Sequence, residues 1–151
     1  GALPPLIGYF AAFHEPRISW VPVILFVIQF VWQFPHFWAI AWVLDEDYKR
    51  AGFKLLPTTY RDKGSAMFTL ISTVIMIPVS LLPTAYFMPS GQPFGGYIYT
   101  VVALLAGLYF LWQGIRLYDK RDIASAKKLM YASFLYLPLL QLTLLFDFIA
   151  K

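Results

Sequence analysis

Between Gln33 and Pro57 the chain reads Gln-Phe-Pro-His-Phe-Trp-Ala-Ile-Ala-Trp-Val-Leu-Asp-Glu-Asp-Tyr-Lys-Arg-Ala-Gly-Phe-Lys-Leu-Leu-Pro. A histidine and an amide sit inside an apolar run, which then breaks abruptly into acids and bases. Polar groups inside a bilayer are costly, so a helix that carries them usually has a task. The acids that follow, Asp45, Glu46 and Asp47, suit a magnesium ion, which takes one or two carboxylates together with substrate phosphates. Lys49, Arg50, Lys54 and Arg61 come next and suit the oxygens of a diphosphate. A plainer reading makes the same charges an ordinary solvated boundary at a membrane surface.

Upstream, Gln29, Gln33 and His36 fall at i, i+4 and i+7 and share one helical face within about 60°. If the helix continues, Asp47 lies five whole turns after Gln29 on the same face. Pro35 removes an N–H and loosens the carbonyl of Val31, which predicts a kink beside His36. Two readings stand. The three groups line a cavity that opens toward Asp47, or they join helices, as polar side chains in membranes often do. Trp32, Phe34, Phe37, Trp38 and Trp42 cluster around His36 and read either as core or as the wall of a large flat or isoprenoid ligand. Gln113 and Arg116 lie three apart at a helix end, where Arg116 meets a phosphate or extends to the membrane surface. Ser65, Thr69, Ser72 and Thr73 form a small polar face that permits close helix packing. Gln141 and Asp147 read as structural or interfacial.

The elements that must position these residues follow from composition. Hydrophobic residues make up 60% of the 151 and charged residues 13%, about half the ~25% of a soluble domain. No charge interrupts Ile18–Leu44, Ser65–Ile115 or Leu129–Phe146. Roughly 20 apolar residues cross a bilayer as a helix. The first and last runs predict one crossing each, and the middle run two, divided by the turn composition of Pro89-Ser90-Gly91-Gln92-Pro93. The fold class is therefore all-α, a polytopic bundle with spans near Ile18–Leu44, Ala66–Met88, Gly95–Ile115 and Tyr131–Ile149. Gly1–Phe13 is too short to cross and reads as the end of a fifth span. It carries neither an initiator Met nor the features of a signal peptide, so the chain is expected to be the C-terminal part of one larger domain.

Charge sets the orientation. The predicted loops Asp45–Gly64 and Arg116–Met130 carry five basic residues each and face one side, against Arg17 and Lys151 on the other. Ten against two predicts that both loops are cytoplasmic, or on the matrix side in a mitochondrion. Asp122 is placed to cap a short surface helix in the second loop, with Lys127 and Lys128 in its later turns. The net charge of +4 is thus a matter of topology and does not point to nucleic acid. No cysteine is present, which excludes disulfides and thiolate chemistry.

At these residues the chain resembles the UbiA superfamily of intramembrane prenyltransferases, and within it the branch that farnesylates haem. The run Trp32-Gln-Phe-Pro-His-Phe-Trp38 is similar to that branch's run, and Asp47-Tyr48-Lys49-Arg50-Ala51-Gly52 through Leu55-Leu56-Pro57 is similar to its Asp-Tyr-x-x-Ala-Gly-x-x-x-Leu-Pro segment. Gly1–Gly8 and Ala126–Leu137 are similar in style. The resemblance implies a nine-helix bundle around a central cavity. It implies transfer of a farnesyl group from farnesyl diphosphate to a vinyl group of haem B, with water adding, to give haem O, and magnesium assisting release of diphosphate. Carried onto this sequence, Asp47 with Asp45 ligates magnesium, and Lys49, Arg50 and Lys54 hold the diphosphate. Tyr48 lies beside the ionising carbon, Trp38 and Trp42 receive the farnesyl tail, and His36 contacts the haem.

Two departures from the family pattern matter. The first aspartate-rich motif belongs before Gly1, and Asp45 is followed four residues later by Lys49 instead of a second aspartate. The chain alone is therefore expected to be inactive, with the N-terminal half of the same fold as its partner. Other readings are a prenyltransferase acting on a quinone precursor, a non-catalytic haem-binding membrane subunit, and a transporter, whose broken helices also carry midplane polar groups. The expected location is the bacterial inner membrane, or the mitochondrial inner membrane if the source is eukaryotic.

Overall fold

A computed structural model describes residues 7, 11, 20–85 and 91–149. Most of the predicted fifth-span end at Gly1–Phe13, the connection at His14–Arg17 and half of the Pro89–Pro93 turn lie outside the described residues. Six helices follow: α1 (Trp20–Val43), α2 (Asp45–Arg50), α3 (Lys63–Ser80), α4 (Leu82–Ala85), α5 (Tyr97–Lys120) and α6 (Ile123–Ile149). Four helical segments are long and apolar enough to cross a membrane: Trp20–Val43, Lys63–Ala85, Tyr97–Lys120 and Ile123–Asp147. At 1.5 Å per residue, their 23 to 25 residues reach about 35 Å, enough for a ~30 Å hydrocarbon core. The chain is an all-helical integral membrane protein.

The spans run up and down around a ring. α1 packs on α3 and α6, and α5 packs on the same two, so α1 and α5 occupy opposite corners. Trp42, Met76, Tyr99, Phe110, Leu117, Leu129 and Leu140 fill the interior. Large apolar side chains such as Leu105, Leu108, Leu135 and Leu142 point outward, as they must where the solvent is lipid.

Close approach of α3 and α5 depends on small residues. Ser65, Thr69, Ser72 and Thr73 are all buried, and the hydroxyls of the last three return hydrogen bonds to carbonyls of their own helix. The small polar face predicted from sequence is thus a packing face. Opposite it, a Cβ placed on Gly114 would meet Thr73 Oγ1 at 2.8 Å, and one on Gly107 would meet Ile77 at 3.1 Å.

The end of the bundle opposite the basic residues is tied by a buried polar cluster. Asp147 Oδ2 accepts the Tyr99 N–H at 2.7 Å, so a side chain of α6 caps the first turn of α5. Tyr99 Oη donates to the Ser80 carbonyl at 2.7 Å, and the Ser80 hydroxyl pairs with Tyr136. These bonds join α3, α5 and α6 where four buried polar side chains, Ser80, Tyr99, Tyr136 and Asp147, would otherwise be stranded.

Several boundaries differ from the sequence expectation. Arg116–Met130 is helical almost throughout; the turn is only Arg121, left-handed at φ 51°, and Asp122. Asp122 accepts the Ser125 N–H at 2.8 Å and so caps the long α6, where a short surface helix was expected. Hydrogen bonds from the Ser125 hydroxyl and backbone hold its carboxyl below the usual range. Charged residues at span ends need no loop, because long side chains reach the surface from within a helix. α1 continues through Pro35 without ending, and in the second span α3 ends at Ser80 and one further turn, α4, follows.

Two outcomes check this packing. Gly114→Ala is expected to destabilise the bundle by about 1–3 kcal/mol through overpacking. The double change with Thr73→Ala should restore most of that, measured by thermal unfolding in detergent. Asp147→Ala should lower stability by about 1–2 kcal/mol through loss of the α5 cap, with Asp147→Asn, which keeps an acceptor, losing less.

Candidate active site

α1 leaves the membrane at Leu44, whose backbone (φ −102°, ψ 16°) breaks the helix before α2 begins at Asp45. That break alters the predicted register. Asp47, expected on the Gln29 face, stands exposed on α2, while Asp45 is the buried acid of the three. α2 ends in a tight reversal. Gly52 N–H bonds the Lys49 carbonyl at 3.0 Å and Phe53 N–H bonds Tyr48 at 2.8 Å, with Gly52 at φ 85°. This pattern needs a residue that tolerates the left-handed region, which explains glycine after Ala51. The reversal folds Phe53–Tyr60 back toward α1, and Leu56 is buried.

Arg61 fixes the assembly. Its Nε donates to the Trp42 carbonyl at 2.7 Å and a terminal nitrogen to the Val43 carbonyl at 3.3 Å. These are carbonyls that the end of α1 leaves without helical partners. The same guanidinium lies 3.9 Å from Asp45 and 3.7 Å from Glu46. Neighbouring bonds set the segment: Thr58 Oγ1 donates to Asp62 at 2.6 Å, Ser65 Oγ donates to the Tyr60 carbonyl at 2.6 Å, and Asp62 caps α3 through the Ser65 N–H at 2.9 Å. Hydrogen bonds from Thr58, and then from Ser65, hold the Asp62 carboxyl below its usual range.

Between α1, α2 and the returning segment lies a pocket of about 400 Å³. Gln33, Phe34, Phe37, Trp38, Tyr48 and Leu55 contribute its main walls, with Ile40 and Ala41 behind. Its size is that of a small-molecule site. Of the residues singled out in the sequence, Gln33, Phe34, Phe37, Trp38 and Tyr48 meet there. Leu55, Ile40 and Ala41 carried no chemical signal of their own and were missed.

The remaining candidates are placed elsewhere. His36 is buried and turned from the pocket toward α6, with Nδ1 2.7 Å from Ser133 Oγ. Its ring stacks on Trp32 at 4.3 Å between centroids and meets the edge of Phe134 at 5.0 Å. Trp32 Nε1 donates to the Ser133 carbonyl at 3.0 Å, so Ser133 holds both rings. Ser133 lay in the quoted Ala126–Leu137 run, but a lone serine in an apolar helix has no periodic partner to draw notice. Gln29 is half-buried on α1 and is not among the residues lining the pocket. Trp42 is fully enclosed in the core, with its indole N–H unpaired, and does not wall the pocket. Arg116, on α5, stacks over Trp112 at 5.0 Å at the ring corner opposite α1.

The charges divide in the same way. Lys49 pairs with Asp45 at 3.0 Å and lies over the Tyr60 ring at 4.8 Å. Arg61 is engaged with α1 and the acids. Arg50 and Lys54 are exposed and form no ion pair with a described residue. For a metal, the described residues hold no group of three or more His, Asp or Glu placed as ligands. Asp45 and Asp47, two apart on a helix, diverge by about 200°, and Asp45 is already neutralised. The pair does not converge on one ion, so joint ligation by both acids does not fit this geometry. Asp47 is the open carboxylate.

Comparison with known proteins gives this site a family. Residues 1–137 match the UbiA prenyltransferase family. The chain is 44% identical over 148 residues to a protein named protoheme IX farnesyltransferase from Cytophaga hutchinsonii, covering 97% of this chain and 49% of that protein. Proteins of the same name from Christiangramia forsetii (43% over 147 residues) and Solibacter usitatus (44% over 149) are each covered over 48% of their length and also take in 97% of this chain. The chain spans about half the length of the curated relatives it matches. No solved structure matches it. With nearly all of its length matched and its spans arranged as a helical membrane bundle, the chain belongs to the UbiA prenyltransferase family.

Proposed function

We propose that this chain forms part of an intramembrane enzyme that transfers a farnesyl group from farnesyl diphosphate to a vinyl group of haem B, giving haem O. The observation that carries the reading is the pocket at the inner end of α1. Four aromatic rings, Phe34, Phe37, Trp38 and Tyr48, wall it at the level where the unpaired cations Arg50 and Lys54 emerge. The relatives' name, protoheme IX farnesyltransferase, supplies the donor and acceptor to test.

The chemistry needs three things from such a place. The C1–O bond of farnesyl diphosphate breaks, and its electron pair leaves on the diphosphate. The vinyl π pair then bonds C1, leaving a cation on the carbon next to the pyrrole ring. Water adds there and loses a proton. Arg50 and Lys54 hold the diphosphate, with Lys49 held back by Asp45. The Tyr48 ring faces the allylic cation and stabilises it through its π face. Phe34, Phe37 and Trp38 seat the farnesyl tail and keep water from the cation until the new bond forms, and Gln33 supplies a polar contact within the same walls. Magnesium, when bound with the diphosphate, neutralises its charge, and Asp47 is the acid of this chain proposed to meet it. His36 has its Nδ1 engaged by Ser133, so the haem contact proposed for it runs through Nε2. The protein sits in the bacterial inner membrane with its basic span ends toward the cytoplasm, and the remainder of the fold completes the site.

The test is an assay of the full-length protein in membranes with haem B, farnesyl diphosphate and magnesium, read by mass spectrometry. A haem in which one vinyl has become a hydroxyethylfarnesyl group, heavier by a farnesyl and a hydroxyl, is the expected product; a prenylated quinone precursor in its place would move the acceptor, and folded protein giving neither would end the proposal. Arg50→Gln with Lys54→Gln should raise KM for farnesyl diphosphate about tenfold or more. Tyr48→Phe should keep most of kcat, whereas Tyr48→Leu should lose roughly tenfold.

A further inference from the structure

A second charged feature lies on the opposite side of the bundle. α5 and α6 enclose an apolar groove of about 430 Å³ between Leu105, Ala106 and Tyr109 on one helix and Ala132, Leu135 and Leu139 on the other. Leu105, Tyr109, Leu135 and Leu139 are all exposed on the outside of the four-span bundle.

The groove runs toward two cations at matched positions. Arg116 is seven residues from Tyr109 and eleven from Leu105, which puts it within about 20° of both on α5. Lys128 stands seven and eleven residues before Leu135 and Leu139, in the same relation on α6. Arg116 precedes the Arg121–Asp122 turn by five residues and Lys128 follows it by six. At 1.5 Å per residue both lie about 8–9 Å from the turn, at one level. Trp112, exposed on the same side, carries the Arg116 guanidinium over its ring at 5.0 Å. From Arg116 to Lys128 the sequence holds five bases against two acids, and one of these, Asp122, is engaged in capping α6.

We propose that this groove binds an anionic phospholipid of the inner leaflet. Its acyl chains lie along Leu105, Tyr109, Leu135 and Leu139, and its phosphate is held by Arg116 and Lys128 with Trp112 at the headgroup level. An apolar cleft between spanning helices that ends in paired cations at the basic side of a membrane has the chemistry of such a lipid. An apolar helix packed there would bring no counter-charge to either cation, and the proposed diphosphate site lies on the α1 side of the ring. The inference rests on the membrane crossing and its orientation, and stands whether or not haem is the prenyl acceptor.

The experiment is native mass spectrometry of the full-length protein, equilibrated in detergent with equal amounts of phosphatidylglycerol and phosphatidylcholine of identical chains. The expected result is retention of phosphatidylglycerol over phosphatidylcholine by on the order of tenfold. That preference should fall to near parity in the Arg116→Gln, Lys128→Gln double variant, and should persist in Arg116→Lys, Lys128→Arg and in Lys127→Gln. Equal retention of the two lipids by the unaltered protein would overturn the proposal without recourse to any variant. So would an undiminished preference in the Gln double variant, or a lipid-free dimer as the dominant species.

Discussion

Arg61 joins the end of α1, the acids of α2 and the segment that returns from it. An α-helix that ends at a membrane surface leaves carbonyls without partners, and a cation near them satisfies both their lone pairs and the helix dipole. Arg61 does this for Trp42 and Val43 from nineteen and eighteen residues downstream. Because it also lies beside Asp45 and Glu46, it fixes where α1 stops, how α2 turns away and where the returning segment lies. The pocket is the space left between these three. The ion pairs are individually of modest worth at a partly exposed position; the geometric constraint they impose matters more than their energy.

That arrangement sorts the charges by task. Of the four basic residues first read as a diphosphate cradle, two are occupied in holding the fold: Arg61 at the end of α1 and Lys49 on Asp45. Arg50 and Lys54 are left facing outward. The acids divide likewise, with Asp45 enclosed and Asp47 open. A cluster that looks uniform in sequence separates into a structural set and a free set because α2 turns neighbouring side chains through about 100° each.

The polar groups within the membrane follow the same economy. His36, Trp32 and Ser133 form one junction between α1 and α6 at mid-span, while Ser80, Tyr99, Tyr136 and Asp147 form another toward the end opposite the basic residues. Since lipid provides no hydrogen-bond partners, these groups find theirs within the protein, and the places where they bond across helices fix the pairing of helices. Gly107 and Gly114 then permit α5 to close on α3.

Much of this was legible from residue types alone. Four spans, and the gathering of lysine and arginine at one end of the bundle, follow from runs of apolar residues and the distribution of charge, because the bilayer imposes a length rule on any chain that crosses it. The gathering of Gln33, Trp38 and Tyr48 at one place, where they line one pocket, was also within reach, as was the capping role of Asp122. What only the tertiary structure decided is the direction in which each polar side chain points. Helical periodicity put Gln33 and His36 on one stripe, yet a 60° difference sends one to the pocket and the other to Ser133 on α6. Arg61 looked like a phosphate ligand until its distance to the end of α1 was known, and Arg116 until α5 proved to lie diagonally opposite α1. Sequence carries the angle of a residue about its own helix axis. The neighbour found at that angle is set by how the four helices pack.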